Sequence, residues 1–391
     1  MNKKTFFILL VIAFSAMVGM GIISPFMPVF AQRHGANGFW LGMIFAGFGI
    51  SRAVVMPVIG KVSDRIGRKI FVAAGLLLFS VISLFYPLAD NIYTLTAIRL
   101  IHGLAAGMIM PIVMAYIGDF TEKGREGFTT GAMNMMFYLG FAAGPLLGGY
   151  LDQHFGFNTV FHVMAALGFI TFLIVIFFLP DVKIKNKEMG QGTFSFKGII
   201  RYNFIKAILI IAIIATLILV VFVSFIPSLA GHLNVNTEHI GLIISFAILI
   251  AGLLQIPMGK IADKLDRFGK LVQISIGMVI AMITVLVLPL CPDFAVLMTA
   301  AFFIGLGTAV STPAISALAV NIGSRVGMGS WMGILNAARS IGFILSPLLF
   351  GITMDYLGID AVFYLLGLIV FLGIFVYGYY IRKRMTGHRT G

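Results

Sequence analysis

Long apolar runs recur along the whole chain, and they constrain its fold more than any other feature. Hydrophobic residues make up 60% of the 391 residues and charged residues only 10%. A helix that crosses a bilayer needs about 20 apolar residues, and the runs do not alternate as strands do, so we predict an all-helical polytopic membrane protein. The twelve predicted spans are residues 6–30, 39–60, 70–88, 93–117, 128–151, 159–180, 204–229, 238–258, 271–290, 294–320, 330–354 and 360–381.

The basic residues predict how these spans are oriented. The net charge is +13, yet with the N-terminus in the cytoplasm the predicted external segments keep only Arg33 among the 27 Lys and Arg. Because Lys and Arg accumulate on the cytoplasmic side of membrane proteins, we predict that both termini are cytoplasmic. The charge therefore orients the chain in the lipid bilayer and does not indicate nucleic-acid binding. The short termini favour a bacterial inner (plasma) membrane.

The chain contains an internal repeat. Residues 140–149 read Gly-Phe-Ala-Ala-Gly-Pro-Leu-Leu-Gly-Gly, and residues 342–351 read Gly-Phe-Ile-Leu-Ser-Pro-Leu-Leu-Phe-Gly, at an offset of 202 (342 minus 140). Pro111 and Pro313 match at the same offset. Duplicated helical membrane domains are typical of transporters, in which a site between similar halves opens to either side.

A polar, lysine-rich stretch separates the two copies of the repeat. It predicts a cytoplasmic linker at 181–203. The linker joins an N-terminal six-helix bundle at 1–180 to a C-terminal six-helix bundle at 204–391.

A charged loop follows predicted span two and recurs after span eight. Its glycines permit a tight reversal between helices, and a single copy would be explained as a solvated turn that obeys the charge rule. Its recurrence at the matching place in each half argues for a role. The first copy contains Gly60, Asp64, Arg65, Gly67, Arg68 and Lys69, and the second contains Gly259, Asp263, Lys264, Arg267, Gly269 and Lys270.

Two helix motifs complete a family pattern. Span four carries Arg99 and Gly103 in the spacing Arg-x-x-x-Gly, and span five carries Gly-x-x-x-Gly-Pro-x-x-Gly-Gly at 140–149. With the loop at 60–69, which reads Gly-x-x-x-Asp-Arg-x-Gly-Arg-Lys, the whole chain resembles the major facilitator superfamily, specifically its twelve-span drug:proton antiporter branch. The resemblance implies two six-helix bundles related by a pseudo-twofold axis along the membrane normal, each built from three-helix inverted repeats.

The resemblance also implies a cytoplasmic latch. Asp64 would cap or pair with the end of a helix in the second half, where a helix dipole favours an acid near the N-terminus. Arg68 and Asp119 would add a charge relay. The latch residues are Gly60, Asp64, Arg65, Gly67, Arg68, Asp119 and, in the second copy, Asp263.

The glycines of span five recur every four residues and so line one helix face. Small residues there let another helix approach closely, and Pro145 leaves the Phe141 carbonyl without its usual donor, so the helix can bend. Ordinary small-residue packing explains the same pattern without a conformational role. The predicted helix-bending residues are Gly140, Gly144, Pro145, Gly148, Gly149 and, in the second half, Pro347.

Three arginines lie inside predicted spans, at positions 52, 99 and 339, whereas all 14 acidic residues lie in loops or at span ends. This departs from the resembled branch, in which a buried carboxylate often carries the proton, and it leaves proton coupling open. A buried charge costs about 2.5–3.5 kcal/mol on insertion scales, so each arginine faces a cavity, finds a partner or snorkels. A cavity richer in positive than in negative charge favours an anionic or zwitterionic substrate.

His102 lies three residues after Arg99 and therefore on the same helix face. Histidine titrates near neutral pH, which makes His102 the proton-coupling candidate, although a lone membrane histidine also serves in packing. The resemblance places the substrate cavity between the halves, lined by spans 1, 4, 7 and 10. The cavity candidates are Arg52, Arg99, His102, Arg339, Ser311 and Thr312, with Pro25 and Pro28 as sources of irregular backbone.

These features predict a secondary active transporter that works by alternating access, first of all an exporter of small amphipathic compounds in drug or metabolite efflux. The alternative is an uptake carrier or facilitator for an organic anion, which the missing carboxylates favour and the span-five motif opposes. A membrane enzyme or sensor is a third interpretation, but no zinc-protease, nucleophile-elbow or phosphate-loop motif supports it. We therefore expect no catalytic residue, no cofactor and no metal site, and a monomer that binds a small-molecule substrate, with protons as an open partner.

Overall fold

The computed structural model describes residues 3–23, 27–120, 126–180, 203–326 and 328–387. Within these ranges the chain forms α-helices and two short 3-10 helices, without a strand. The predicted all-helical class is confirmed. Helices form because the backbone N–H and C=O groups of each segment in lipid must find their hydrogen-bond partners within that segment. The predicted linker, apart from Asn203, and Pro25 lie outside the described residues.

The described helices follow one another in chain order. They are α1 (Lys3–Ile22), α2 (Met27–Arg33), α3 (Gly38–Ile66), α4 (Arg68–Ser83), α5 (Ile92–Phe120), α6 (Glu126–Phe155), α7 (Phe157–Phe178), α8 (Asn203–His232), α9 (Thr237–Leu253), α10 (Gln255–Lys264), α11 (Arg267–Val287), α12 (Phe294–Val326), α13 (Met328–Leu357) and α14 (Ile359–Gly387). The 3-10 helices are Tyr86–Leu88 and Leu288–Leu290.

Among the described residues, 11 segments are long and apolar enough to cross a membrane. They correspond to the predicted spans except for span five at 128–151, which falls in α6, a helix of 30 residues. Some side chains in the first half of α6 lie outside the description, so the helix is not among the 11. The chain is a multi-pass integral membrane protein.

Two predicted spans differ from the helices that form. The predicted span 6–30 is too long, because α1 ends at Ile22 and the separate helix α2 begins at Met27. The predicted span 238–258 is interrupted at Leu254, between α9 and α10. The cause is Pro257, which has no N–H to donate to the carbonyl of Leu253.

The chain divides into two compact units. Unit 1 comprises Met1–Glu188 and Val223–Leu249, and unit 2 comprises Met189–Phe222 and Ile250–Gly391. Unit 1 therefore holds α1–α7 together with the second part of α8 and most of α9, and unit 2 holds the first part of α8 with α10–α14.

The internal repeat is visible inside each unit. In unit 1 a Cβ on Gly75 would lie 3.1 Å from the carbonyl oxygen of Ala105, and in unit 2 a Cβ on Gly277 would lie 2.5 Å from that of Gly307. Both pairs are separated by the offset of 202 found in the sequence. At Gly277 the neighbouring backbone leaves no room for a side chain. At Gly75 the side chains of Met108 and Ile109, each 2.9 Å from the added Cβ, would have to shift.

Candidate functional site

Helices α3 and α5 of unit 1 are in close contact through glycines. A Cβ on Gly103 would lie 2.1 Å from the Ser51 hydroxyl oxygen and 2.3 Å from the Phe48 carbonyl oxygen, and a Cβ on Gly107 would lie 2.3 Å from Val55. Alanine would not fit at Gly103 without movement of the α3 backbone, and at Gly107 it would require the Val55 side chain to shift. The candidate arginines and histidine of the first half all lie along this α3–α5 interface.

Arg99 of α5 is held against aromatic faces. The side chain is 6% exposed, and its guanidinium carbon lies 5.3 Å and 5.4 Å from the ring centroids of Phe45 and Phe48. The buried Nε of Arg99 has no hydrogen-bond partner in the described part of the chain. Ring faces rather than a carboxylate therefore surround this cation.

His102 lies inside an aromatic cage. Its ring is 1% exposed, and the ring centroids of Phe79, Tyr86 and Phe48 lie 4.2, 5.7 and 5.9 Å away. Its Nδ1 is hydrogen-bonded to the Tyr86 hydroxyl at 2.8 Å, and its Nε2 has no partner among the described residues. These surroundings fit the packing alternative for this histidine, and its role in proton coupling stays a prediction.

Tyr86 is the residue of this cluster that sequence reasoning missed. It is fully buried in the 3-10 helix that ends predicted span three. Its ring stacks on that of Phe161 in α7, with 4.6 Å between the ring centroids. One sequence signal could have identified it: a tyrosine stands before a proline at the end of a span, and a buried tyrosine hydroxyl usually finds a hydrogen-bond partner. Sequence spacing alone gave no reason to pair it with His102, 16 residues away.

Arg52 lies on α3, at the level of Gly107 of α5. A Cβ on Gly107 would lie 3.1 Å from the Arg52 carbonyl oxygen and 3.4 Å from its Cα. The residue is eight positions before Gly60 (60 minus 52), about 12 Å along the helix axis. Its Nε is buried and has no hydrogen-bond partner within the described ranges.

Helix α6 packs against the backbone of α1 through its predicted glycine face. Cβ atoms on Gly140, Gly144 and Gly148 would lie 2.5, 2.6 and 1.9 Å from carbonyl oxygens of Phe14, Val18 and Ile22, respectively. A Cβ on Gly21 would in turn lie 2.9 Å from the carbonyl oxygen of Phe141, the group that Pro145 leaves without a helical donor. The two helices thus meet backbone to backbone.

The same helix meets the start of α9, also within unit 1. A Cβ on Gly149 would lie 2.6 Å from the Thr237 carbonyl oxygen, and one on Gly241 would lie 2.3 Å from that of Pro145. At the end of α6, the Nε2 of His154 lies 3.3 Å from a carboxylate oxygen of Glu238. Sequence reasoning missed this pair, because neither residue belongs to a motif.

The loop motif is built differently from the prediction. Gly60 lies inside α3 and not at the reversal, because α3 continues to Ile66. The turn is made by Gly67 alone, whose φ of 119° suits glycine. Asp64, predicted just past the helix end, is inside α3 as well. The side chains of Asp64, Arg65 and Asp119 lie outside the description, that of Arg68 is buried, and the latch stays a prediction.

The repeat offset assigns Asp64 a different counterpart from the predicted Asp263. Asp263 is exposed near the end of α10, whereas Asp266 lies 202 residues after Asp64. The Asp266 carboxylate caps α11 by accepting a hydrogen bond from the Gly269 N–H at 2.7 Å. Applying the offset to this loop would have found Asp266.

The candidates of unit 2 lie on α12 and α13. Ser311 is buried and donates to the Gly307 carbonyl oxygen at 2.9 Å, while Thr312 is half-buried. Arg339 is half-buried on α13, and Ser346, beside Pro347, is buried with no partner for its hydroxyl within the described ranges. Over the part of the chain that the structure describes, no group of His, Cys, Asp and Glu is arranged to hold a metal ion.

A family model described as Major Facilitator Superfamily matches residues 9–291 and 208–390. The chain belongs to the Major Facilitator Superfamily. The resemblance expected from the motifs is thereby confirmed, and the protein is a transporter of this superfamily and not an enzyme.

Superfamily relatives match along almost the whole chain. The uncharacterized MFS-type transporter MJ1560 of Methanocaldococcus jannaschii is 28% identical over 91% of this chain and 93% of its own length. The quinolone resistance protein NorA of Staphylococcus aureus is 28% identical over 91% of each chain. A bacterial homologue of the human lysosomal transporter Spinster, solved inward-facing and occupied, has the same fold with a TM-score of 0.81, 13% identity and 96% coverage of both chains.

Proposed function

We propose that this superfamily transporter is a secondary active exporter of small amphipathic compounds that works by alternating access. The observation that carries the proposal is the packing of α6, whose glycines contact the backbone of α1 on one side and of α9 on the other. Interfaces made of glycine and backbone have no interlocked large side chains, so helices can part and rejoin along them with little repacking. Pro145 supplies a point at which α6 can bend.

The relatives support export as the direction of transport. The similarity to NorA extends over 91% of each chain, and the antiporter motif of the sequence lies on α6 itself. We place the protein in a bacterial inner membrane as a monomer with both termini in the cytoplasm, and we assign the six-helix domains to 1–180 and 204–391. Asp64 and its neighbours would form the cytoplasmic latch.

An uptake carrier or facilitator for an organic anion is the second candidate function. It is favoured by the buried Nε atoms of Arg52 and Arg99, which have no partner among the described residues. It is favoured also by the 14 acidic residues, which all lie outside the middle of the spans. In that case the substrate gradient would drive transport, and a pH gradient would have no effect.

Transport by the purified protein in proteoliposomes separates the two functions. The vesicles carry an imposed pH gradient and are offered norfloxacin, a lipophilic cation and a lipophilic anion. Export by proton antiport predicts uptake into acid-loaded vesicles that collapses when an uncoupler is added. Flux of the anion alone, driven by its own gradient and indifferent to pH, would instead establish the carrier.

A further inference from the structure

We propose that Arg52 binds the acidic group of the substrate, so that the compounds recognised by this transporter are amphipathic molecules with a carboxylate or a similar anion. The proposal rests on the proposed transport function and adds the substrate class and the residue that selects it. It concerns unit 1 alone, because Arg52 and its neighbours on α3 and α5 all belong to that unit.

The first argument is the missing counter-charge around Arg52. The Nε of Arg52 is buried without a hydrogen-bond partner among the described residues. Arg52 lies about 12 Å along α3 from Gly60, and α3 continues beyond Gly60 to Ile66. A guanidinium in a membrane span is costly unless it is paired or solvated. Each of the 14 acidic residues lies in a loop or near a helix end, so the spans supply no carboxylate at this depth.

The second argument is that Arg52 and Arg99 have different surroundings. Arg99 is packed against the rings of Phe45 and Phe48. The backbone of Arg52 lies beside Gly107 of α5, and the Arg52 Nε has no hydrogen-bond partner among the described residues. Within the described residues, Arg52 is therefore the arginine of the α3–α5 interface that has no aromatic ring against its charge. A planar guanidinium is suited to bind a carboxylate through two hydrogen bonds.

The internal repeat does not keep the two arginines in its second copy. At the offset of 202 the position of Arg52 is occupied by Leu254, and that of Arg99 by Ala301, which is fully buried. The helix pair α4–α5 nevertheless makes the same glycine contact as α11–α12, at Gly75 and Gly277. The second copy thus has an uncharged residue at both positions, and neither arginine belongs to what the two halves share.

Binding of a matched pair of dyes tests the proposal. Rhodamine B and its ethyl ester share one cationic aromatic system and differ in a single carboxylate. The purified protein in lipid nanodiscs should bind rhodamine B at least about tenfold more tightly than the ester, a difference of about 1.4 kcal/mol. Arg52→Gln should abolish this preference, and Arg52→Lys should keep part of it because the charge remains. Arg33→Gln, which removes an exposed arginine from the end of α2, should bind like the parent.

The outcomes separate the inference from the function on which it rests. Equal binding of both dyes by the parent, or a preference that survives in Arg52→Gln, overturns the role of Arg52 while transport stands. If neither dye is bound and the proteoliposomes transport no amphipathic compound, both proposals are overturned. The Arg52→Gln protein should melt no lower than the parent, because it loses a buried charge with an unpaired Nε. A lower melting temperature would therefore identify a folding defect and distinguish it from a loss of binding. In that case Arg52→Lys, which keeps the charge, is the second variant with which to test the preference.

Discussion

The Nδ1 of His102 lies 2.8 Å from the hydroxyl oxygen of Tyr86, and both side chains are buried inside unit 1. The bond joins α5 to the 3-10 helix that follows α4, in a cage of aromatic rings. A hydrogen bond in such surroundings stabilises the bundle chiefly because, without it, a polar group would stay buried with no hydrogen-bond partner.

Tyr86→Phe should therefore lower the melting temperature of the purified protein. The change keeps the ring stacked on Phe161 but leaves Nδ1 of His102 unpaired, at a cost of about 1–3 kcal/mol. Thermal unfolding in detergent measures the effect, and Tyr93→Phe, at a side chain that is 66% exposed, is the control. Equal melting of Tyr86→Phe and the parent would show that the bond contributes nothing.

Gly148→Ala should prevent accumulation of folded protein. The new methyl group would lie 1.9 Å from the carbonyl oxygen of Ile22, so α1 and α6 would have to separate. Gly231→Ala, at a helical glycine with open space around it, should be tolerated and is the matched control. The yield of monodisperse protein on size exclusion is the measurement, and equal yields from both variants would contradict the backbone-to-backbone packing.

A covalent link between positions 154 and 238 should stop transport. His154 and Glu238 meet at 3.3 Å where α6 contacts α9. With the six-helix domains assigned to 1–180 and 204–391, the proposed alternating access would open this contact in each cycle. The test joins His154→Cys and Glu238→Cys with a short thiol crosslinker in a Cys291→Ser background. Each single variant treated with the same reagent is the control. Undiminished transport by the linked protein would mean that this contact stays closed throughout the cycle.

Asp64→Asn should impair transport while the protein still accumulates in the membrane. The substitution keeps the shape of the side chain and removes the charge on which the proposed latch depends. Transport into proteoliposomes, normalised to reconstituted protein, is the measurement. Asp266→Asn, at the residue 202 positions after Asp64, shows whether the second copy of the loop matters. Wild-type rates in Asp64→Asn would remove the latch.

Cys291 should react slowly with thiol reagents at neutral pH. Burial, and secondarily the carboxylate of Asp293, raises the pKa of the Cys291 thiol. Because only the thiolate reacts, a raised pKa lowers the reactive fraction at neutral pH, and the rate climbs as the pH approaches that pKa. Asp293→Asn should accelerate labelling at fixed pH and still cap α12, where Asp293 now accepts from the N–H of Val296. The labelling rate with N-ethylmaleimide between about pH 7 and 9 checks this. Slower labelling of Asp293→Asn would contradict it.

Residue chemistry and spacing were sufficient to predict much of the fold. The length of the apolar runs predicted the spanning helices, because a single segment in lipid can satisfy its backbone hydrogen bonds only as a helix. The offset between 140–149 and 342–351 predicted the duplication, and the contacts of Gly75 and Gly277 repeat at that offset. The four-residue spacing of Gly140, Gly144 and Gly148 predicted one close-packed helix face, and that face lies on α1.

Only the tertiary structure decided what each charged or polar side chain meets. The sequence placed Arg99 and His102 on one helix. Packing against α3 put two phenylalanine rings beside Arg99, and packing against the 3-10 helix gave His102 a tyrosine as its hydrogen-bond partner. The structure likewise shows that the loop reverses at Gly67 and not at Gly60, since α3 continues to Ile66. Helical periodicity is a local property of the chain, whereas these contacts depend on how helices far apart in sequence are packed against each other.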